Sequence, residues 1–360
     1  MGRRTEMEYS PRGELLTRRR FLDGQPVEAT FEYDEVSNRV KAVDEAGRQT
    51  DFYYDGLNRL YETVKPSADG TAQRGKVKKG YSSLGRLVSY TNENGSVWRF
   101  EFDSLGRLLA EVDPLGQEKR YEHDLSGNVV KKTDAKGQVT TFGYDELNRL
   151  VRVDFADGKW AALTYDSADN RVGLTGSSGV SETMSISQTF DELNRLKSVT
   201  NGTLQRELRY GYTPAGRRAS MSLVNLADSS AKTNSYSWDS RGRVESIVPW
   251  AGSAVSYGYN PDGTRATVTL PNGLSLSHDY DSLGRLAQMR YVNGAGESVG
   301  FFRYTLDVMG NRVAVEDAEG VSTFTYDRLD RLVSAAYPDG SWESFGMDLA
   351  GNRVRHEDGD

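Results

Sequence analysis

The 360-residue chain contains no cysteine, which excludes a disulfide framework and thiol chemistry without fixing a compartment. No run of 18 apolar residues occurs, and the N-terminus Met1-Gly-Arg-Arg-Thr-Glu-Met-Glu-Tyr has no apolar h-region. A membrane span and a recognisable secretory signal are therefore not expected. There is no basic face either: the net charge is −7, and the short Arg-rich opening (Arg3, Arg4, Arg18 to Arg20) lies beside acids, so nucleic acid is not an expected partner. Helix-favouring runs of Ala, Leu, Glu and Lys at 3.6-residue spacing are missing. Apolar content is only 37%, low for a compact core, yet twenty Tyr, twelve Phe and five Trp are too many for a disordered polar chain. A large sheet with one wet face satisfies both numbers.

What is present is a repeat. Tyr144-Asp145-Glu146-Leu147-Asn148-Arg149-Leu150 recurs as Tyr54-Asp55 to Leu60, Phe190-Asp191 to Leu196, Tyr280-Asp281 to Leu286 and Tyr326-Asp327 to Leu332. By the residue in the Asp slot, tolerant copies stand at 10, 34, 55, 82, 103, 124, 145, 166, 191, 213, 239, 260, 281, 307, 327 and 348, sixteen in all, most often 21 residues apart. A self-similar period of this length decides the architecture and predicts a single array over 1–360, with motifs from 9 to 354 and no separate second domain.

One period reads as a strand over Val139 to Tyr144, a turn, a return strand from Arg149 to Asp154, and a second turn of the Asp-x-x-Gly kind seen at Asp44–Gly47, Asp113–Gly116, Asp134–Gly137 and Asp317–Gly320. Asp opening the first turn can accept backbone N–H groups, and Asn or Gly three residues on tolerates the left-handed backbone that closes a hairpin. The expected fold class is all-β: about 16 antiparallel hairpins with one kind of turn on each rim. In one class of first turn Arg follows the Asp at the fourth position; in the other, Gly-Asn-Arg-Val places it one residue later. The second class is taken to carry an inserted residue that makes a bulge. From 103 to 348 the classes alternate. Four longer steps, 55–82, 166–191, 213–239 and 281–307, are expected to be longer loops on the opposite rim. Some 32 strands at ~4.8 Å would span on the order of 150 Å if flat, so the sheet must coil.

The chemical candidates weigh little against structural readings. Gly70-Thr-Ala-Gln-Arg-Gly75-Lys76-Val77 nearly fits a phosphate-binding loop, but Val replaces the Mg²⁺-binding Ser/Thr and no helix follows, so it reads as a polar loop. His123 stands in a Tyr slot, and His278 and His356 lie in no ligand cluster. No metal, cofactor or enzymatic activity is expected, and sixteen equivalent Asp residues are turn caps rather than catalysts. The repeated Arg residues should pair with nearby acids or stack on the next repeat's Tyr. Trp98, Trp160 and Trp342 follow second turns and are the candidate carbohydrate-contact aromatics, cross-strand packing being the plainer account. Asn94-Gly-Ser and Asn201-Gly-Thr match glycosylation sequons and are equally plain turns.

Tyr-Asp-x-x-Gly-Asn-Arg-hydrophobic at this spacing resembles the YD or Rhs (rearrangement hot spot) repeat, as Gly143 to Leu150 and Met309-Gly-Asn-Arg-Val313 illustrate. That family includes bacterial Rhs polymorphic toxins, shell components of insecticidal toxin complexes, wall-associated proteins and animal teneurins. The resemblance implies a β-spiral closing into a hollow shell, around a C-terminal toxic domain in the toxins and serving adhesion in teneurins. Family shells end in a self-cleavage motif with Asp-Pro-x-Gly. Asp113-Pro114-Leu115-Gly116 has those letters mid-array, at an ordinary turn slot. Six residues follow Val354 and no cap precedes Tyr9, as expected for a segment of a longer bacterial shell, cytoplasmic before export, secreted or at the cell surface. Its expected partners are the rest of such a shell or a cargo polypeptide, with edge-to-edge self-association also open. The alternative is an extracellular adhesion or carbohydrate-binding module.

Overall fold

The computed structural model describes residues 4–70, 73–177 and 183–359. These form 32 strands and no helix, from Thr5–Tyr9 to Arg353–Gly359, all in one sheet. Strands consecutive in the chain pair antiparallel: Phe142 in Val139–Tyr144 faces Val153 in Leu150–Asp154, and Val153 faces Ala161 in Trp160–Tyr165. The expected array of hairpins is the fold found.

Turns of both kinds share one geometry, with exceptions such as Asp317, whose N–H donates to the Gly320 carbonyl. Asp145 N–H donates to the Arg149 carbonyl (3.0 Å), Asn148 N–H donates to the Asp145 carbonyl (2.9 Å), and Asn148 is left-handed at φ 60°. This is a type I turn closed by a bulge at a left-handed residue, the usual three-residue hairpin solution. The Asp145 carboxylate accepts from Leu147 N–H and Arg149 N–H, as expected of an Asx turn. Asp113 does the same for Leu115 N–H and Gln117 N–H, so Asp113-Pro-Leu-Gly is a turn like its neighbours.

Two expectations need correction. The second class of first turn holds no inserted residue: Asp124 N–H donates to the Asn128 carbonyl, and His123 pairs with Val129 just as Tyr144 pairs with Leu150. The bulge occurs in both classes because it belongs to the turn type; what differs is the side chain at the fourth position, Arg or Asn in most turns, with Arg217 and Thr264 breaking a strict alternation. Nor do the long steps all make loops. At 55–82 the described residues 65–70 and 73–75 do lie outside strands, but at 213–239 the extra residues lengthen Arg218–Asn225 and Ala231–Trp238 to eight each. At 281–307 they lengthen Leu286–Val292 and Ser298–Leu306 around an ordinary turn at Asn293. Extending the ladder pairs every added N–H and C=O, which a loop would leave to water. Residues 178–182, in the long step 166–191, and Arg3, Thr71 and Ala72, named above, lie outside the described residues.

The chain divides into two compact units, one comprising Met1–Trp98 with Gly258–Asp360 and the other Arg99–Tyr257. Few apolar side chains are buried: Ala29, Val64, Ala110, Val153, Val224 and Ala335 among the described residues. Half-buried aromatics and the turn rims therefore carry much of the order that a closed core supplies in a globular domain.

Candidate functional site

The repeated residues form a network running along the rim of first turns. Each Asp holds its own fourth-position residue: Arg149 Nε donates to Asp145 Oδ2 (2.8 Å) and Asn128 Nδ2 to Asp124 Oδ2 (2.9 Å). The same group then reaches the next hairpin. Arg149 Nη1 donates to the Asp166 carbonyl and to Asp169 Oδ1, Arg107 Nη1 to the Asp124 carbonyl, and Asn128 Nδ2 to Asn148 Oδ1. Arg and Asn are thus two lengths of forward bridge. Arg59, Arg149 and Arg195 also lie 4.5–4.9 Å from the ring centroids of the next repeat's Tyr81, Tyr165 and Tyr212, so pairing and stacking both occur.

The Tyr of each motif points the other way. Tyr144 OH donates to the Val129 carbonyl (3.0 Å), Tyr165 OH to Leu150 (2.9 Å), Tyr212 OH to Leu196 (2.7 Å) and Tyr280 OH to Arg265 (2.9 Å). Every acceptor is the fifth residue after the preceding Asp slot, where the hairpin resumes after its turn. Trp238 Nε1 replaces a Tyr hydroxyl and reaches the Arg218 carbonyl. Sequence reasoning missed this role of Tyr. The signal was the strict Tyr-before-Asp spacing, which packing alone does not demand.

In the first unit the two kinds of rim meet. Arg48, after the Asp44 turn, is 8% exposed. Its Nη1 and Nη2 donate to Asp330 Oδ1 and Oδ2 (2.8 Å each), Nη1 also to the Arg328 carbonyl, and Nε to Asp44 Oδ2. Along the same seam Asp23 N–H donates to Ser282 Oγ, Arg328 N–H to the Ala68 carbonyl, Asn94 Nδ2 to Asp348 Oδ2, and Ala350 N–H to Asn94 Oδ1. Partners are 254 to 282 residues apart and advance together, so the sheet coils and stacks an Asp-x-x-Gly rim on a Tyr-Asp rim. Beside the seam a cleft of about 270 Å³ is lined by Lys65, Pro66, Leu329, Val333, Met347 and Leu349, among others.

The electrostatics follow from these bonds. Arg149 N–H, then its guanidinium, holds the Asp145 carboxyl below the usual carboxylate range; the Asn170 amide does so for Asp166. Asp348 is held down to about 2, chiefly by the Asn352 side chain, with Asn94 adding to it. Arg48 lowers Asp330, and Asp330 in turn keeps the Arg48 guanidinium protonated far above any working pH.

The tryptophans singled out by sequence are placed separately. Trp98 packs on Tyr90 with ring centroids 5.5 Å apart, Arg152 sits 4.3 Å over the Trp160 ring, and Trp342 is 42% exposed beside Gly359. Trp98 and Trp342 belong to the first unit and Trp160 to the second. His123 is a sheet residue in its Tyr slot, and His356 stacks on Phe345. Asn94, of the first sequon, is engaged in the seam. Among the described residues no group of three His, Cys, Asp or Glu could hold a metal ion.

An RHS Repeat family model matches residues 81–118 and 123–159, and a Teneurin YD-shell model matches 171–340. The chain belongs to the Rhs/YD-repeat family. Among curated relatives of this YD-repeat chain, Double-stranded DNA deaminase toxin A of Burkholderia cenocepacia is 26% identical over 164 residues, 38% of this chain and 11% of that protein. The tRNA3(Ser)-specific nuclease WapA of Bacillus spizizenii is 42% identical over 80 residues, 21% of this chain and 3% of that one. The solved structure of TcdB2-TccC3 superposes with a TM-score of 0.67 at 14% identity, over 99% of this chain and 24% of the other. A Photorhabdus luminescens Tc holotoxin pore gives 0.62 at 13%, over 99% and 24%. These likenesses show the shared fold, and the chain spans under a quarter of each of these proteins.

Proposed function

We propose that this YD-repeat chain is wall: a segment of an Rhs/YD β-shell, one repeat array throughout, that encloses or presents another polypeptide such as a toxin and does no chemistry itself. The observation that carries the reading is the seam. A sheet stacking its own rims through the Arg48–Asp330 clamp is built to continue as a wall, and repeated residues such as Asp145, Arg149 and Tyr144 are occupied in holding that wall together. The bacterial relatives, named as a deaminase toxin and a nuclease, and the Tc-toxin fold support a wall associated with toxins, the remainder of a longer shell and its cargo being the partners.

Protease protection tests this. A reporter polypeptide fused after Asp360 should be cleaved more slowly than the free reporter, and Arg48→Ala should restore rapid cleavage. Equal cleavage rates in fused and free reporter would sink the enclosing role. A second reading, sugar binding, has its support in Trp342, the most exposed of the three candidate aromatics. Saturable binding on a glycan array, lost in Trp342→Ala, would favour it over the wall alone.

A further inference from the structure

Most Tyr-Asp turns carry an apolar side chain two residues after the Asp slot, and its surroundings differ along the chain. In the first unit Leu283, Met309 and Leu329 are half-buried, while Val36, Leu57 and Leu84 in the same slot are 62% to 71% exposed. The N-terminal Asp-x-x-Gly rim lies on their turns through the Asp23, Arg48 and Ala68 contacts. In the second unit Leu105, Leu147 and Leu193 occupy the same slot and are 68% to 73% exposed, with Leu125 on the intervening turn fully exposed. These turns lie on one rim, joined by the Arg107, Asn128 and Arg149 bridges and, through the turn at Asp166, by the Asn170 bridge to Asn194. Single exposed leucines need no explanation; a row along one rim is a patch.

We propose that this row is a stacking surface for the Asp-x-x-Gly rim of a second copy of the chain, reproducing between molecules the seam that the first unit makes within itself. The occupant is argued from three observations. The same slot, where it is covered in this structure, is covered by such a rim. The Asp-x-x-Gly rim of the second unit is itself apolar and exposed, at Leu115, Phe155 and Leu204. Exposed acids, Glu146 and Glu192, flank the leucines, while the exposed Lys136 stands on the opposite rim. The contact joins unlike surfaces, so two copies leave one rim of each kind free and association continues with concentration. It is distinct from pairing of the edge strands Thr5–Tyr9 and Arg353–Gly359, and it requires no cargo.

Sedimentation of the purified chain over a range of concentrations tests the proposal. The wild type should show a mass rising above its 40.0 kDa monomer. The L105S/L147S/L193S variant, which alters exposed residues only, should keep its circular dichroism and melting temperature yet weaken association about tenfold or more, a loss of ~1.4 kcal/mol or greater. L115S/L204S, on the other rim, should do the same. An equimolar mixture of the two variants should form dimers, because each supplies the rim the other lacks. A wild type monomeric throughout, variants that associate as the wild type does, or a mixture that stays monomeric would each overturn the proposal. So would association lost only in Val354→Pro, which breaks the edge strand.

Discussion

Asn148 shows how one residue is selected. Its φ of 60° suits Asn or Gly and opposes any β-branched side chain. Asn148→Gly should leave stability nearly unchanged but remove the bridge from Asn128, whereas Asn148→Val should cost about 1–2 kcal/mol in urea denaturation. Tyr144→Phe isolates the backward hydroxyl bond. It leaves the ring packed and the half-buried Val129 carbonyl without its donor, and should cost about 0.5–1.5 kcal/mol. A substitution with no measurable cost would reduce the Tyr of the motif to packing. The left-handed position was readable from sequence, because Asn and Gly have a backbone reason to be there. The hydroxyl's target was not, because it lies in the preceding repeat, 15 residues back.

At the scale of the hairpin, the Asp cap, the bulge and the forward bridge act together. Asp145→Ala removes the acceptor for Leu147 N–H, Arg149 N–H and Arg149 Nε at once. Amides of Val139–Tyr144 and Leu150–Asp154 should then exchange faster than those of the neighbouring hairpin Glu118–His123 and Val129–Thr133. Uniform exchange across both would mean that the ladder, not the cap, sets hairpin stability. Strand positions were legible here because turn residues punctuate them every ten or so residues. The difference between turn classes was misread as a length change: Gly-Asn-Arg looks like an insertion when Arg is used for alignment. Aligned on the backbone bonds of Asp124 and Asp145, both turns have the same length, and Asn128 replaces Arg149.

At the scale of the whole molecule, the seam in the first unit is the feature most sensitive to charge. Arg48→Ala leaves Asp330 facing the turn without its bidentate donor and should destabilise by about 1–3 kcal/mol, less than for a fully buried pair because Asp330 keeps some solvent contact. The acid response has a definite sign. Asp330 and Asp348 have folded-state values below those of the unfolded chain, so the stability they contribute is complete above the ordinary Asp value of about 3.9 and is lost as pH falls further. Urea midpoints should be flat with respect to these groups between about pH 5 and 7 and fall below about pH 4. For Asp348 the loss continues down to about 2. Asp348→Asn should blunt that fall, and an unchanged acid limb would remove the seam carboxylates from the account. The sequence by itself determined the hairpins, their two rims and the need for a coil, because turn chemistry and a 21-residue period are local properties of the chain. Only the tertiary structure decided that Arg48 meets Asp330, that Asn94 serves Asp348 and that the motif's Tyr serves the repeat before it. Those partners are set by how far the sheet twists per strand, a sum over many residues that no single motif encodes.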